Sequence, residues 1–147
     1  MTYQHFERFG DIAFAEKFEG INQKVNWTDT QWSELETMLD SNLLDVLNKQ
    51  ARSLYITQQL RGPLADIKSL IEGKSPSVKY RLYSAHDDNI ANMLVQLNPT
   101  FKWLGIRYAS NIKFEVYERS DSSFMIYVIY NGKPLQLEKC AMIFCTA

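Results

Sequence analysis

Apolar residues recur at helical spacing through much of the first half of the chain. From Thr28-Asp29 onward, Trp32, Leu35, Met38, Leu39, Leu43, Leu44, Val46 and Leu47 form such a series behind an N-cap residue. The pattern predicts one helix, or two joined near Asp40-Ser41. Leu54, Ile56 and Leu60 continue the helical character to Gly62-Pro63, where a break is expected. A second amphipathic segment then runs from Leu64 through Ile67, Leu70 and Ile71 to the breaker Gly73-Lys74-Ser75-Pro76. Residues 1–27 mix aromatic and charged side chains without a clear period. Gly10-Asp11 and Glu19-Gly20 punctuate them like loops, and the segment reads as irregular.

The period changes after residue 77. Val78, Tyr80, Leu82 and Tyr83 make a short β-favouring run that ends in small residues, and Asp87-Asp88-Asn89 follow at once. The reading is strand, tight turn, helix, with Ile90, Met93, Leu94 and Leu97 on one helix face and an end at Asn98-Pro99. Beyond it, Ile112, Phe114 and Val116 alternate with Lys113, Glu115 and Tyr117, and residues 123–130 are apolar at nearly every position. The intervening Ser120-Asp121-Ser122-Ser123 is turn chemistry, so an antiparallel hairpin is expected. Asn131-Gly132 marks a further turn before a short strand over 134–137. The aromatic stripe Trp103, Tyr108, Phe114, Tyr117, Phe124, Tyr127 and Tyr130 reads as sheet packing. Helices followed by a mixed sheet define an α/β class. The expected organisation is one domain over 1–147: irregular to 27, helical over 28–73, then a strand, helix and hairpin over 78–147.

Composition narrows the functional classes. The 147 residues are 46% hydrophobic and 13% aromatic, enough to bury a core. Sixteen Lys and Arg against seventeen Asp and Glu leave a net charge of -1, so no basic field gathers nucleic acid or anionic lipid. The apolar run over 124–130 is far short of the roughly 20 residues that a membrane-spanning helix needs, and no membrane segment is expected. No secretory signal peptide is readable in Met1-Thr2-Tyr3-Gln4-His5-Phe6-Glu7-Arg8. Cys140 and Cys145 fit either a local disulfide in an oxidising compartment or two buried thiols. With His5 and His86 the only histidines, no metal site and no cofactor are expected. Asn26-Trp27-Thr28 is an N-glycosylation acceptor pattern of a kind that also arises by chance.

The chemistry centres on His86-Asp87, placed where a strand would feed a helix. Ligands of α/β sheets bind beyond the carboxyl ends of strands, and a helix N-terminus presents unpaired N–H groups that favour anions. An imidazole there can hydrogen-bond a phosphoryl oxygen, and the adjacent carboxyl can protonate a leaving oxygen. The ordinary alternative is a capping pair, with Asp87 or Asp88 satisfying helix N–H groups.

The string Tyr83-Ser84-Ala85-His86-Asp87-Asp88-Asn89-Ile90 resembles the second signature of the histidine acid phosphatases, in which small residues precede His-Asp. Asn26-Trp27-Thr28, Gln59-Leu60-Arg61-Gly62-Pro63-Leu64, Tyr108-Ala109-Ser110 and the paired cysteines of 137–145 fall in the family's order. The resemblance implies a partial histidine-phosphatase-like fold and phosphomonoester hydrolysis. In that chemistry a histidine of an Arg-His-Gly motif attacks phosphorus, arginines hold the phosphoryl oxygens, and the distal His-Asp pair completes the pocket. By position, His86 would bind the phosphoryl group and Asp87 would be the proton donor. The family also points to secretion or the lysosome.

The chain departs from that pattern. Arg-His-Gly occurs nowhere in it, and Arg8-Phe9-Gly10 carries phenylalanine at the central position. His5 lies in no such motif, and Arg52, Arg61, Arg81 and Arg107 match none either. Asp88-Asn89 stand where the family often has threonines, and Lys139 precedes Cys140 where glycine is usual. The expectation is an acid-phosphatase-like chain, truncated with respect to the nucleophile and inactive alone. The alternative is a non-catalytic module that binds phosphate or a protein. An uncovered sheet edge would invite a protein partner or self-association.

Overall fold

In the computed structural model, which describes residues 3–21, 25–45, 49–74, 79–100, 105–138, 140 and 144–146, the segment expected to be irregular is helix α1 (Tyr3–Glu19). Phe6, Gly10, Ala13 and Phe14 recur on one face. Gly10 does not end the helix. It is buried, and a Cβ on it would fall 2.7 Å from Leu39 Cδ1, so its smallness lets a second helix close against α1. The helix ends where Glu19-Gly20 predicted. Gly20, at φ +67°, donates to the Lys17 carbonyl at 3.3 Å, and Ile21 donates to that of Glu16 at 3.1 Å. Val46, Leu47, Ser75, Pro76, Val78, Trp103 and Lys139, used in the sequence reading, lie outside the described residues.

Helix α2 (Asp29–Asp45) begins at a reciprocal cap and runs through Asp40-Ser41 as one piece. Gln31 N–H donates to Thr28 Oγ1 at 3.3 Å, and Thr28 N–H donates to Gln31 Oε1 at 2.9 Å. Residues 1–46 form one compact unit and 47–147 a second. In the first, Trp32 and Leu35 are buried, and the Trp32 ring lies 5.2 Å from Phe14 and 5.0 Å from Trp27. Lys17 Nζ sits 4.2 Å above the same ring.

The second unit opens with helix α3 (Lys49–Ile71), which passes through Gly62-Pro63 without the expected break. An interior proline costs about 3 kcal/mol and one backbone hydrogen bond. Ile56 on the same helix is fully buried, and beyond residue 78 Arg81 pairs with Asp66 and Tyr83 lies over Gly62. Gly73, at φ +67°, then repeats the termination seen at Gly20, donating to Leu70 O at 3.1 Å while Lys74 donates to Ser69 O at 2.9 Å.

Residues 79–86 do not form the expected strand. A strand requires a neighbour for its backbone, and this segment instead uses alternate side chains to grip a helix. Arg81 Nε lies 3.0 Å from Asp66 Oδ2, and Tyr83 rests over Gly62, while Tyr80 and Leu82 stay 78% and 75% exposed. Helix α4 (Asp87–Leu97) follows with the expected apolar face, and Asn98 N–H closes it on Leu94 O at 2.8 Å.

The predicted hairpin forms. Strands β1 (Ile112–Glu118) and β2 (Phe124–Tyr130) pair antiparallel from Ile112↔Tyr130 to Glu118↔Phe124. Asp121 Oδ1 accepts the Ser123 N–H at 3.0 Å and the Ser123 hydroxyl at 2.6 Å, which fixes the turn. Asn131 and Gly132, both at positive φ, turn the chain into β3 (Lys133–Pro134), shorter than expected. β4 (Phe144–Thr146), which no pattern announced, also pairs with β2. Every strand pairing among the described residues is antiparallel. The class is therefore α/β in content, but the sheet is antiparallel rather than the mixed sheet expected, and no strand forms over 79–83. Leu94, Val128 and Leu135 form the core of this unit, with Ile90, Leu97, Ile112 and Phe114 packed around them. Among the described residues no helix is long and apolar enough to cross a membrane.

Candidate functional site: the start of helix α4

His86 is the residue at which extended chain becomes helix, with φ −112° and ψ 174°. Its N–H donates to Asn89 Oδ1 at 2.7 Å, so the third helical residue reaches back to hold the cap. Asp87 Oδ1 accepts the Asp88 N–H at 2.9 Å, and Asp88 Oδ1 accepts the Asn89 N–H at 2.8 Å. Both aspartates thus serve the helix start, as the capping alternative anticipated. Both side chains of the His86-Asp87 pair are exposed, whereas Asn89 and Asn92 are buried.

What fixes this turn comes from α3. The Tyr55 hydroxyl donates to Asp88 Oδ2 at 3.1 Å and accepts a hydrogen bond from Asn89 Nδ2. Asn92 Nδ2 adds a bond to Asp88 O at 2.7 Å. Asn89 therefore spends its amide on Tyr55 and its carbonyl oxygen on His86. Burial, followed by the bond to Asp88, raises the Tyr55 phenol above the usual 10.0.

Tyr55, Gly62 and Asp66 recur at helical spacing on one side of α3, and they meet the second chain segment in reverse order. Asp66 takes Arg81, Gly62 takes Tyr83, and Tyr55 takes Asp88 and Asn89. A Cβ on Gly62 would lie 2.8 Å from Tyr83 Oη, so the glycine makes room for the ring just before Ser84-Ala85-His86. Sequence reading passed over Tyr55 and Asp66 and took Gly62 for a break, because nothing local marks partners that lie well beyond the helix in the chain. Their common face was the available signal.

The other candidates fall elsewhere. His5 is exposed on α1, in the first unit. A shallow depression along α3 is lined by Thr57, Leu60, Arg61, Leu64, Ala65 and Lys68 and includes neither His86 nor Asp87. Cys140 is disulfide-bonded; the side chain of Cys145, the only other cysteine in the sequence, lies outside the described residues. Among the described residues no group of three or more His, Cys, Asp or Glu could hold a metal ion. No protein-family model matches the chain, and no curated protein matches it.

Chemically, the start of α4 offers an exposed imidazole and an exposed carboxyl on a turn braced from below. An anion approaching it would meet the imidazole and the positive end of the helix dipole, together with the Asp87 and Asp88 carboxylates that already hold the Asp88 and Asn89 N–H groups.

Proposed function

We propose that this chain carries the His-Asp half of a histidine acid phosphatase site within a partial fold of that family. His86 would hydrogen-bond a phosphoryl oxygen, and Asp87 would deliver a proton to the leaving oxygen. One observation carries the reading: the family-like string Tyr83-Ser84-Ala85-His86-Asp87 coincides with an exposed His-Asp pair at the start of a helix. Asp88-Asn89, the departure from the family's usual threonines, has an explanation in the bonds to Tyr55.

Neither histidine lies in an Arg-His-Gly motif. Without that nucleophile no phosphohistidine forms, and a proton donor alone does not cleave a phosphomonoester. The purified chain is therefore expected to show no p-nitrophenyl phosphate turnover from acidic to neutral pH. Turnover that is lost in both His5→Ala and Asp87→Ala would overturn the view that a nucleophile is missing.

A second reading, a non-catalytic module that binds phosphate or a protein, is favoured by the exposure of Tyr80 and Leu82 beside the same turn. Size-exclusion chromatography with light scattering separates the two. A clean monomer that titrates phosphate supports the binding module. A soluble aggregate supports a mere fragment of the phosphatase fold.

A further inference from the structure

Asn131-Gly132 is the only Asn-Gly pair in the sequence. It forms the two-residue loop between β2 and β3, where Tyr130 pairs with Lys133, and both residues are at positive φ, +47° and +80°. Asn-Gly suits such a turn. Here the asparagine also holds a second piece of chain. Its N–H donates to the Asn111 carbonyl at 3.1 Å, its Oδ1 accepts the Asn111 N–H at 2.9 Å, and its Nδ2 donates to Ser110 Oγ at 3.1 Å. One exposed residue thus closes the entry of β1, next to the Ile112↔Tyr130 pair, with both ends of its carboxamide engaged.

The same pair is chemically reactive. Glycine has no Cβ to shield its nitrogen, so that nitrogen can attack the carboxamide of the preceding asparagine. Gly132 N bonds to Asn131 Cγ and the Cγ–Nδ2 bond breaks. Ammonia leaves with the electron pair of that bond and the proton that the Gly132 nitrogen gives up. Water then opens the cyclic imide at either carbonyl, which leaves aspartate or isoaspartate at position 131. We propose that Asn131 is a deamidation site gated by its own hydrogen bonds to Ser110 and Asn111. While both bonds hold, the carboxamide is committed to the start of β1, and the reaction proceeds when this end of the hairpin opens. The two products differ in consequence. A carboxylate at 131 still accepts the Asn111 N–H, and the Ser110 hydroxyl turns from acceptor to donor to meet its second oxygen. Isoaspartate adds a methylene to the backbone of a two-residue loop, so Tyr130 and Lys133 lose their register and β3 separates from β2.

The test uses the whole chain, incubated in heavy-oxygen water at mildly alkaline pH and sampled by peptide mass spectrometry, which reads label uptake at position 131. Folded wild type should deamidate slowly, and the same chain in urea several-fold faster. Ser110→Ala removes one of the two carboxamide bonds and should speed the folded reaction roughly five-fold, as expected for the loss of one net hydrogen bond. Its rate in urea should match wild type. Ser110→Thr keeps a hydroxyl and should restore the slow folded rate. Gly132→Ala is compared in urea, where the strain of a side chain at φ +80° is absent, and should slow the reaction there, as expected if the Gly132 nitrogen is the nucleophile. Wild type that deamidates equally fast folded and in urea would overturn the proposal, as would a folded Ser110→Ala chain that reacts no faster than wild type.

Discussion

The Tyr55 hydroxyl donates to Asp88 Oδ2 across 3.1 Å and ties the middle of one helix to the first turn of another. Removing it leaves the Asp88 carboxylate and the buried Asn89 amide each short of a partner. Tyr55→Phe should therefore destabilise the second unit by ~1–3 kcal/mol in urea unfolding, and it should speed hydrogen exchange of the Asp88 and Asn89 amides.

The same phenol sets an alkaline limit. Burial and the bond to Asp88 raise Tyr55 above 10.0 in the folded chain, so the neutral form is favoured there relative to the unfolded chain. That stability is fully present below 10.0 and is lost as pH rises through the folded value. Tyr117, raised by its bond to Glu115, acts in the same direction on the exposed hairpin. Unfolding midpoints should fall above pH 10 in the wild type, and less steeply in Tyr55→Phe.

Gly10 and Gly62 both lie inside helices, and alanine should affect them differently. At Gly10 the new methyl meets the branched end of Leu39, with Cδ1 at 2.7 Å and Cδ2 at 3.0 Å. Overpacking costs ~1–3 kcal/mol and outweighs the ~1 kcal/mol that alanine gains over glycine in a helix. Gly10→Ala should lower the stability of the first unit, and adding Leu39→Ala should relieve the clash.

At Gly62 the methyl would meet a half-exposed tyrosine ring, which can swing away. Gly62→Ala should leave global stability within ~1 kcal/mol of wild type. Its effect should appear locally, as a change in the Ser84, Ala85 and His86 amide resonances that Tyr83→Ala reproduces.

Much of this architecture was legible in the sequence. Thr28-Asp29 announces an N-cap, and the Ile90, Met93, Leu94 and Leu97 face announces α4. The alternation around Phe114 announces the hairpin. The failures share a physical cause, since each gives local propensity more weight than a distant contact. Gly10 looked like punctuation because its role is to accept Leu39. Gly62-Pro63 looked like a break because the docking of Tyr83 and Arg81 cannot be read from the helix itself. Tyr80 to Tyr83 read as a strand, but a β-favouring run becomes one only when a backbone lies alongside, and here α3 occupies one side. At the site, His86 and Asp87 could be picked out from their string, whereas Tyr55 could not.

A phosphate titration of the labelled chain, followed by 1H–15N spectra, tests the His-Asp reading most directly. Inorganic phosphate should shift the Asp87, Asp88 and Asn89 amides in a saturable way. The shifts should weaken at least several-fold in His86→Ala, while Tyr55→Phe should broaden them. Phosphate that leaves these three amides unmoved, or moves them equally in wild type and His86→Ala, would contradict the assignment of a phosphoryl site to the start of α4.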